Sequence, residues 1–330
     1  MALVSVIVPV KDGAAFLERT LPPLVASLPQ GAELIVSDDG STDGSAALAE
    51  AKGARLVRHP VGTGPAAARN RGARVAHGAI LVFLDADVRV HLDTLTLLLG
   101  AFEDATLSAA FGSYDATPEA RSWISLYKNL AHHFVHQRSS GEASTFWAGC
   151  GAIRTQVFRE LGGFDENYRR PSIEDVELGY RLREHGHRIE LLPAVQVTHL
   201  KEWSLASWLR ADLADRAVPW TRLLRQGRGL PGDLNFTVAN RAASLLVALG
   251  CASLAVAAWE PIAIVPGLAA FGIALALDKG LLVFCARRGG VLFAFAAAGF
   301  QILHRVAGLL GLVIGLATPG PRVASASRST

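Results

Sequence analysis

The sequence has few charged residues and few cysteines, and both observations restrict the classes of protein to which it can belong. Charged residues make up 18% of the 330 residues, against about 25% in typical soluble domains. Three cysteines stand far apart, which excludes a disulfide scaffold and a cysteine-based zinc site. A net charge of +3 is too small to indicate a nucleic-acid partner. An apolar fraction of 51% excludes a disordered chain, a collagen and a coiled coil.

The shortage of charge is greatest at the C-terminus, where only nine charged residues follow residue 240. Three apolar runs succeed one another there: Ala242–Ala258, Ile262–Leu277 and Val291–Thr318. A helix that spans a membrane needs about 20 apolar residues, and 17 are tolerated. We therefore predict three spans, or four if His304 and Arg305 mark a turn inside the last run.

Tryptophans and arginines are mixed between residues 201 and 228, which is typical of helices that lie in a membrane interface. The alternative is a set of surface helices that pack on the preceding domain. Basic residues before residue 241 place that end in the cytoplasm. We expect a soluble cytoplasmic domain over 1–200, interfacial helices over 201–240, and transmembrane helices with a short tail over 241–330. This arrangement predicts a multi-pass protein of the cell (inner) membrane.

Strands and helices alternate at the N-terminus. Four short apolar runs predict buried strands: Leu3–Val10, Glu33–Ser37, Ala54–His59 and Ala79–Leu84. Helical segments between them predict crossover connections, and therefore a mostly parallel sheet with both faces covered. The first run has no basic region before it and no visible cleavage site after it, so we interpret it as a strand rather than a signal peptide. Ligands of such sheets bind at the carboxyl ends of the strands.

Two acidic clusters follow strands in this pattern. Asp85 and Asp87 come directly after the fourth strand, and carboxylates two residues apart can share a divalent metal that neutralises a diphosphate. Asp38 and Asp39 follow the second strand, where they can accept hydrogen bonds from a ribose and from a base N–H group. The alternatives are a solvated turn for the first pair and a helix-capping turn for the second.

Three further segments carry candidate chemistry. A glycine turn opens an alanine-rich helix that contains Arg69, which supplies positive charge. The small residues of the segment Trp147–Ala152 leave room for a ligand. Glu174 and Asp175 open another predicted helix, where a carboxylate can act as a general base toward a hydroxyl group. Acidic residues are also favoured in a first helical turn by the helix dipole alone.

In their order and spacing, these segments resemble an inverting glycosyltransferase of family 2. The resemblance covers about residues 5–186 and is carried by VSVIVPV, DDGSTDG, GPAAARNRG, LDAD, GGFDE and IEDVELGYRL. It implies an α/β catalytic domain of the GT-A type, with a Rossmann-like sheet, over residues 1–200. It also implies a nucleotide-diphosphate sugar as donor, often a UDP-sugar, and Mn²⁺ or Mg²⁺ as cofactor.

The resemblance also implies roles for individual residues. Asp175 would be the general base, with Glu174 beside it. Asp87, Asp85 and His199 would form the metal site, with His199 lying 24 residues after Asp175. The implied donor site comprises Pro9, Val10, Asp38, Asp39, Arg69, Asp85, Asp87, Arg216 and Trp220. The implied acceptor and sugar pocket comprises Trp147, Gly149, Cys150, Gly151 and Ala152.

The leading hypothesis is a membrane enzyme that moves one sugar to a lipid or lipid-linked acceptor, either alone or as a homo-oligomer. A polyprenyl phosphate is an alternative acceptor, for which Asp175 matters less because a phosphate needs little deprotonation. A processive polysaccharide synthase is a second alternative. However, processive members carry Q-x-x-R-W, where this chain has Arg216 in place of Gln and Pro219 in place of Arg. The third alternative is a non-catalytic subunit that binds a sugar nucleotide and anchors a complex.

Overall fold

The structure is a computed structural model, and it describes residues 4–139, 141–227, 234 and 237–318. Parts of the predicted interfacial segment 201–240, and the predicted tail after residue 318, lie outside the described residues. The described residues up to His199 form one sheet with helices on both faces. The remaining described residues are helical and pack against one side of this domain.

Nine strands form a single sheet, in the order β3-β2-β1-β4-β8-β6-β9-β5, with β7 paired to β9. Four of the eight strand pairings are parallel and four are antiparallel, so the sheet is mixed and not mostly parallel as predicted. The difference arises because β8 enters antiparallel between β4 and β6. The strands are β1 (Val4–Val10), β2 (Glu33–Asp39), β3 (Arg55–His59), β4 (Ile80–Leu84), β5 (Val88–Val90), β6 (Leu107–Tyr114), β7 (Gly141–Glu142), β8 (Cys150–Arg154) and β9 (Arg188–His199).

Seven helices cover the sheet, and the four strands predicted from apolar runs are confirmed beneath them. Side chains alternate along β1, so that Val6 and Val8 join one core with Leu17, whereas Ile7 joins the core on the opposite face. Burial on both faces explains why β1 and β4 are continuously apolar, whereas β3, at the edge of the sheet, is only partly buried and carries two arginines. The helices are α1 (Ala14–Ser27), α2 (Ser45–Ala51), α3 (Pro65–Val75), α4 (Thr94–Gly100), α5 (Trp123–Arg138), α6 (Thr155–Glu160) and α7 (Glu174–Glu184).

The strand register brings distant segments to the carboxyl ends of β1, β2 and β4. β8 runs back along β4, with Cys150 opposite Leu84, and the backbone N–H of Asp85 donates to the carbonyl of Gly149 (3.2 Å). β9 runs antiparallel to β5, with His199 opposite Val88. The chain therefore returns twice to the place where β4 ends.

Among the described residues that follow the sheet there are five α-helices and one π-helix. α10 and α11 form a helical hairpin, and α12 packs along α5, the π-helix and α9. The elements are α8 (Leu205–Arg210), the π-helix Ala211–Ala217, α9 (Val218–Leu224), α10 (Val238–Val256), α11 (Ile264–Leu277) and α12 (Lys279–Ala317).

Only two helices of the described chain, α10 and α12, are long and apolar enough to cross a membrane. α11 has 14 residues, so the prediction of three spans is not supported. The alternative of four spans is wrong, because α12 continues through residues 304 and 305 and breaks its helical geometry at Gly290 (φ +85°). Arg305 is accommodated within the helix because it pairs with the Asp278 carboxylate (2.7 Å).

Part of the predicted interfacial segment is a packing element. Trp208 is fully buried against Tyr127 and Phe300, with ring centroids 5.7 and 5.5 Å away. The Trp208 indole N–H donates to the buried Asp212 carboxylate (2.6 Å), which also accepts from Lys128 Nζ (2.7 Å). For Trp208 the alternative interpretation holds, since burial of its aromatic surface joins the π-helix region to the preceding α/β domain.

A close backbone approach at Gly179 fixes helix α7, whose first turn carries Asp175. A Cβ at Gly179 would lie 2.4 Å from the backbone nitrogen of Phe146. We expect Gly179→Ala to lower the free energy of unfolding by about 1–3 kcal/mol because this contact cannot relax cheaply. Gly100→Ala is the control, since nothing lies within 4 Å of its Cβ position. Urea unfolding followed by tryptophan fluorescence measures both, and equal stability of the two variants would contradict the expectation.

Candidate active site

The candidate site lies where β4 ends and α7 begins, and a buried arginine joins the two. Arg69 Nη2 lies 2.6 Å from Asp85 Oδ1, and Arg69 Nη1 lies 2.8 Å from Glu174 Oε1. The Arg69 side chain is 6% exposed, so both ion pairs are screened little by water. Arg69 therefore pairs with two carboxylates at the centre of the predicted site, and it is not a free cation.

Asp175 lies next to this ion pair. Its carboxylate accepts a hydrogen bond from the backbone N–H of Ala148 (3.1 Å), which follows Trp147 in the loop before β8. Burial and the nearby charge of Glu174 raise the pKa of Asp175 to about 7, and the charge of Arg69 opposes this rise. A carboxylate with this acidity is suited to accept a proton near neutral pH.

Asp87 and His199 meet through the antiparallel pairing of β5 with β9. His199 Nε2 lies 3.7 Å from Asp87 Oδ2. Burial raises the pKa of Asp87, but the neighbouring His199 and the charge of Lys201 outweigh burial and lower the pKa. The Asp87 carboxylate therefore remains ionised.

The three predicted metal ligands, Asp85, Asp87 and His199, have different surroundings in the structure. Asp85 is engaged by Arg69, and the described residues contain no cluster of three acidic, histidine or cysteine side chains that could hold a metal ion. Asp87 and His199 provide one carboxylate and one imidazole side by side, a donor set that suits Mn²⁺. Ions of this class commonly complete their coordination with substrate phosphates and water, so these residues fit a metal that arrives with a diphosphate.

The two acids that end β2, Asp38 and Asp39, have different partners. Asp39 accepts hydrogen bonds from the backbone N–H groups of Gly64 (2.7 Å) and Thr63 (2.9 Å), and from Arg71. These bonds outweigh burial and lower its pKa. Asp38 is fully buried, and its Oδ2 atom lies 3.3 Å from Nε of the exposed Arg58. Asp39 therefore holds the glycine turn in place, whereas Asp38 is paired with Arg58.

Only part of the predicted acceptor pocket reaches the site. Trp147 is partly exposed, and the Gly149 carbonyl accepts from Asp85, as described above. Cys150 and Ala152 lie in the hydrophobic core with β4 and β6 on either side, and Gly151 is buried between them. The structure does not bring these three residues to the site, because their segment is a central strand of the sheet.

The remaining predicted donor residues lie at two edges of the site. Pro9 and Val10 end β1, with Val10 opposite Asp38 in the parallel ladder. Arg216 is exposed near the end of the π-helix. Its positive charge opposes the rise in the pKa of Tyr114. Trp220 packs in a cluster that includes Ile173, directly before Glu174.

Tyr114 belongs to the site and was missed by the sequence analysis. Its ring stacks on His199 (4.3 Å between centroids, 18° between planes) and meets Trp147 edge-on at 4.9 Å. Burial and the charges of Asp87 and Asp85 raise its pKa, which keeps the phenol neutral. An aromatic residue at a strand end is common, so no local signal distinguishes Tyr114. The parallel pairing of β6 with β9 brings it to His199.

Residues 5–162 match Glycosyl transferase family 2, and residues 128–203 match a family described as the N-terminal domain of galactosyltransferase. A pre-mycofactocin glycosyltransferase of Mycobacterium tuberculosis is 32% identical over 215 residues, which are 62% of this chain and 44% of the relative. A validoxylamine A glucosyltransferase of Streptomyces hygroscopicus is 30% identical over 220 residues, which are 56% of this chain and 48% of the relative. The chain thus spans about half the length of these relatives.

Two solved structures with bound sugar nucleotides superimpose on the chain. A mannosyltransferase of Pyrobaculum calidifontis, in complex with GDP-Man and Mn²⁺, superimposes with a TM-score of 0.59 at 20% identity, covering 93% of this chain and 86% of that one. Staphylococcus aureus TarS in complex with UDP-GlcNAc superimposes with a TM-score of 0.52 at 18% identity, covering 94% and 91%. These likenesses show a GT-A-type fold.

The ion pairs of Arg69 with Asp85 and Glu174 predict that the loss of its charge destabilises the protein. We expect Arg69→Gln to lower the free energy of unfolding by about 3–5 kcal/mol, because Asp85 and Glu174 would lose their buried counter-charge. Arg74→Gln is the matched control on the same helix, since Arg74 is 62% exposed and contacts Glu166 at 3.5 Å. Its loss is expected to stay below about 1 kcal/mol. Chemical unfolding measures the loss of stability in both variants. A loss in Arg69→Gln as small as that in Arg74→Gln would contradict the stabilising role of the buried ion pairs.

Proposed function

The chain belongs to glycosyl transferase family 2, and on that premise we propose that it transfers one sugar from a nucleotide-diphosphate sugar to a hydroxyl group of a lipid or lipid-linked acceptor. UDP-sugars are the first candidates for the donor. The observation that carries the proposal is the position of Asp175. Its carboxylate has a raised pKa and lies beside the loop that contacts Asp85, at the carboxyl end of β4.

The proposed reaction is a direct displacement. The acceptor hydroxyl gives its proton to Asp175 as its oxygen attacks the anomeric carbon, and the bond from that carbon to the diphosphate breaks. Attack from the side opposite the leaving group inverts the anomeric centre. A divalent cation held by Asp87 and His199 would supply positive charge for the departing diphosphate. Arg216, exposed at the end of the π-helix, would add a cation at the same edge.

Glu174 acts through its neighbours in this scheme. It pairs with Arg69, and its other oxygen accepts from the backbone N–H of Ser172 (2.9 Å). These contacts hold the first turn of α7 against β4, while the charge of Glu174 contributes to the raised pKa of Asp175. Glu174 is thus a positioning residue.

The acceptor class follows from the C-terminal helices. Of the 27 exposed large hydrophobic side chains in the described chain, 21 lie between residues 238 and 316. Apolar surface of this extent on a soluble monomer is unfavourable, and a bilayer would cover it. We propose that α10, α11 and α12 attach the enzyme to the cytoplasmic face of the cell membrane, which would bring a lipid acceptor to the catalytic domain.

The first test measures release of nucleotide diphosphate by purified enzyme in detergent, with native lipid extract and Mn²⁺, across UDP-, GDP- and dTDP-sugars. Asp175→Asn is expected to lower the lipid-dependent rate about 10²–10⁴-fold, because the general base is lost. Wild-type activity should fall as the pH drops below about 7, since protonated Asp175 cannot accept a proton.

Asp93→Asn is the control, because Asp93 is exposed beside α4 and its side chain makes no capping hydrogen bond. It should retain wild-type activity. Lipid-dependent release that survives in Asp175→Asn would contradict a hydroxyl acceptor and would favour a phosphate acceptor. No turnover with any donor, despite nucleotide binding, would favour the anchoring subunit.

The metal site makes a separate prediction. Chelation by EDTA should abolish transfer, and added Mn²⁺ should restore it. Asp87→Asn should weaken Mn²⁺ binding in the presence of the nucleotide diphosphate about 10–100-fold, a range typical for damaged metal sites. Electron paramagnetic resonance of free Mn²⁺ measures this affinity without turnover. Unchanged Mn²⁺ affinity in Asp87→Asn would remove Asp87 from the metal site.

A further inference from the structure

A cavity of about 350 Å³ lies between the loop 165–172 and helix α9, beside the proposed catalytic centre. Three arginines contribute to its lining, from the loop and from α9. Two aspartates also line it, so the positive charges outnumber the negative ones. The residues that matter for its chemistry are Arg169, Arg170, Ser172, Asp215, Arg222 and Leu223.

We propose that this cavity binds the phosphate headgroup of a membrane lipid. The inference rests on the proposed function and extends it by assigning the anionic part of a lipid to a defined place. Arginine suits this role because its planar guanidinium can donate two parallel hydrogen bonds to phosphate oxygens.

The arginines have unused hydrogen-bonding capacity. Arg169 and Arg170 are exposed, and neither side chain has a hydrogen-bond or ion-pair partner among the described residues. Arg222 donates from Nη2 to Thr318 Oγ1 (2.8 Å), while its Nε atom is buried without a partner in the described chain. A buried donor without an acceptor is unfavourable, so a phosphate oxygen at this place would relieve that cost.

Three arginines against two aspartates leave the lining of the cavity with a net positive charge, and both aspartates also hold its walls together. One oxygen of Asp165 accepts from the backbone N–H of Asn167 (2.9 Å) and from its side-chain amide (2.8 Å), which engages it in the turn of its own loop. Asp215 contributes its backbone carbonyl to Ser172 Oγ (2.6 Å), and this bond joins the loop to the π-helix. The three arginines therefore keep a net positive surface for an anion.

One side of the cavity adjoins the apolar helices. α9 packs on the end of α12, where a Cβ at Gly315 would lie 2.6 Å from Thr221 Cβ. Arg225 of the segment after α9 donates to the carbonyl of Leu316 (3.0 Å). Leu223 lines the cavity, and Leu316 and Val313 are exposed on α12 nearby in the chain. A headgroup in the cavity would thus have an apolar surface beside it for its hydrocarbon chain.

The other side adjoins the catalytic residues. Ser172 lines the cavity, and its backbone N–H donates to Glu174, which precedes Asp175. A lipid-linked acceptor anchored by its phosphate would therefore have its sugar-accepting end close to the general base. This arrangement restrains the acceptor before reaction, which is how positioning accelerates a bimolecular step.

The test is binding of the full chain to sedimenting vesicles of phosphatidylcholine, with or without phosphatidylglycerol. The double variant Arg169→Gln/Arg170→Gln is expected to retain binding to neutral vesicles. Its affinity for anionic vesicles should fall about tenfold more than that of Arg287→Gln/Arg288→Gln, which removes an equally adjacent and exposed pair on α12 outside the cavity. The control pair corrects for diffuse attraction to the surface charge. Equal losses in the two double variants would overturn the proposal.

Transfer assays in detergent distinguish the source of the phosphate. A raised KM for the lipid extract with unchanged kcat in Arg169→Gln/Arg170→Gln would assign the site to the acceptor. An unchanged KM, together with weakened vesicle binding, would assign it to bulk lipid. Vesicle binding requires no turnover, so it tests the cavity independently of catalysis. A chain that binds anionic vesicles through the cavity but transfers no sugar would refute the proposed function and would still support the cavity site.

Discussion

The buried guanidinium of Arg69 is the interaction on which the candidate site depends. Removing its charge from water is costly, and the cost is offset only because Asp85 and Glu174 both lie within 3 Å of it. The two carboxylates belong to different elements, the end of β4 and the start of α7. Their shared partner therefore fixes the distance between the strand that leads to the proposed metal ligand and the helix that carries the general base.

The same arrangement sets the acidity of Asp175. Glu174 and burial disfavour a second negative charge, whereas Arg69 favours it, and the balance places the pKa near neutrality. Two neighbouring acids thus differ in function: Glu174 forms an ion pair with a buried cation, and Asp175 is available to exchange a proton. The first-turn acids of α7 are therefore more than helix-dipole partners, although the dipole favours them as well.

The C-terminal helices are joined to the catalytic domain by polar contacts inside an apolar interface. Asp212 of the π-helix binds Lys128 of α5, Trp208 of α8, and His304 of α12, whose Nδ1 atom lies 2.6 Å away. A π-helix is uncommon and is frequently found at functional sites. Here it ends beside Arg216 and the proposed phosphate cavity. The elements that would meet the membrane and those that would bind the donor therefore share one rigid junction.

The sequence by itself determined the first four strands, the acids at their ends and the helix that carries Asp175, because local periodicity and turn residues specify single elements. Only the tertiary structure decided that β8 returns antiparallel, which buries Cys150 and Ala152, and that Asp39 serves the glycine turn. It also decided that Tyr114 stacks on His199 and that Arg69 meets Glu174, 105 residues away. These outcomes depend on which strand edges pair and which charges are buried together, and no local pattern encodes either.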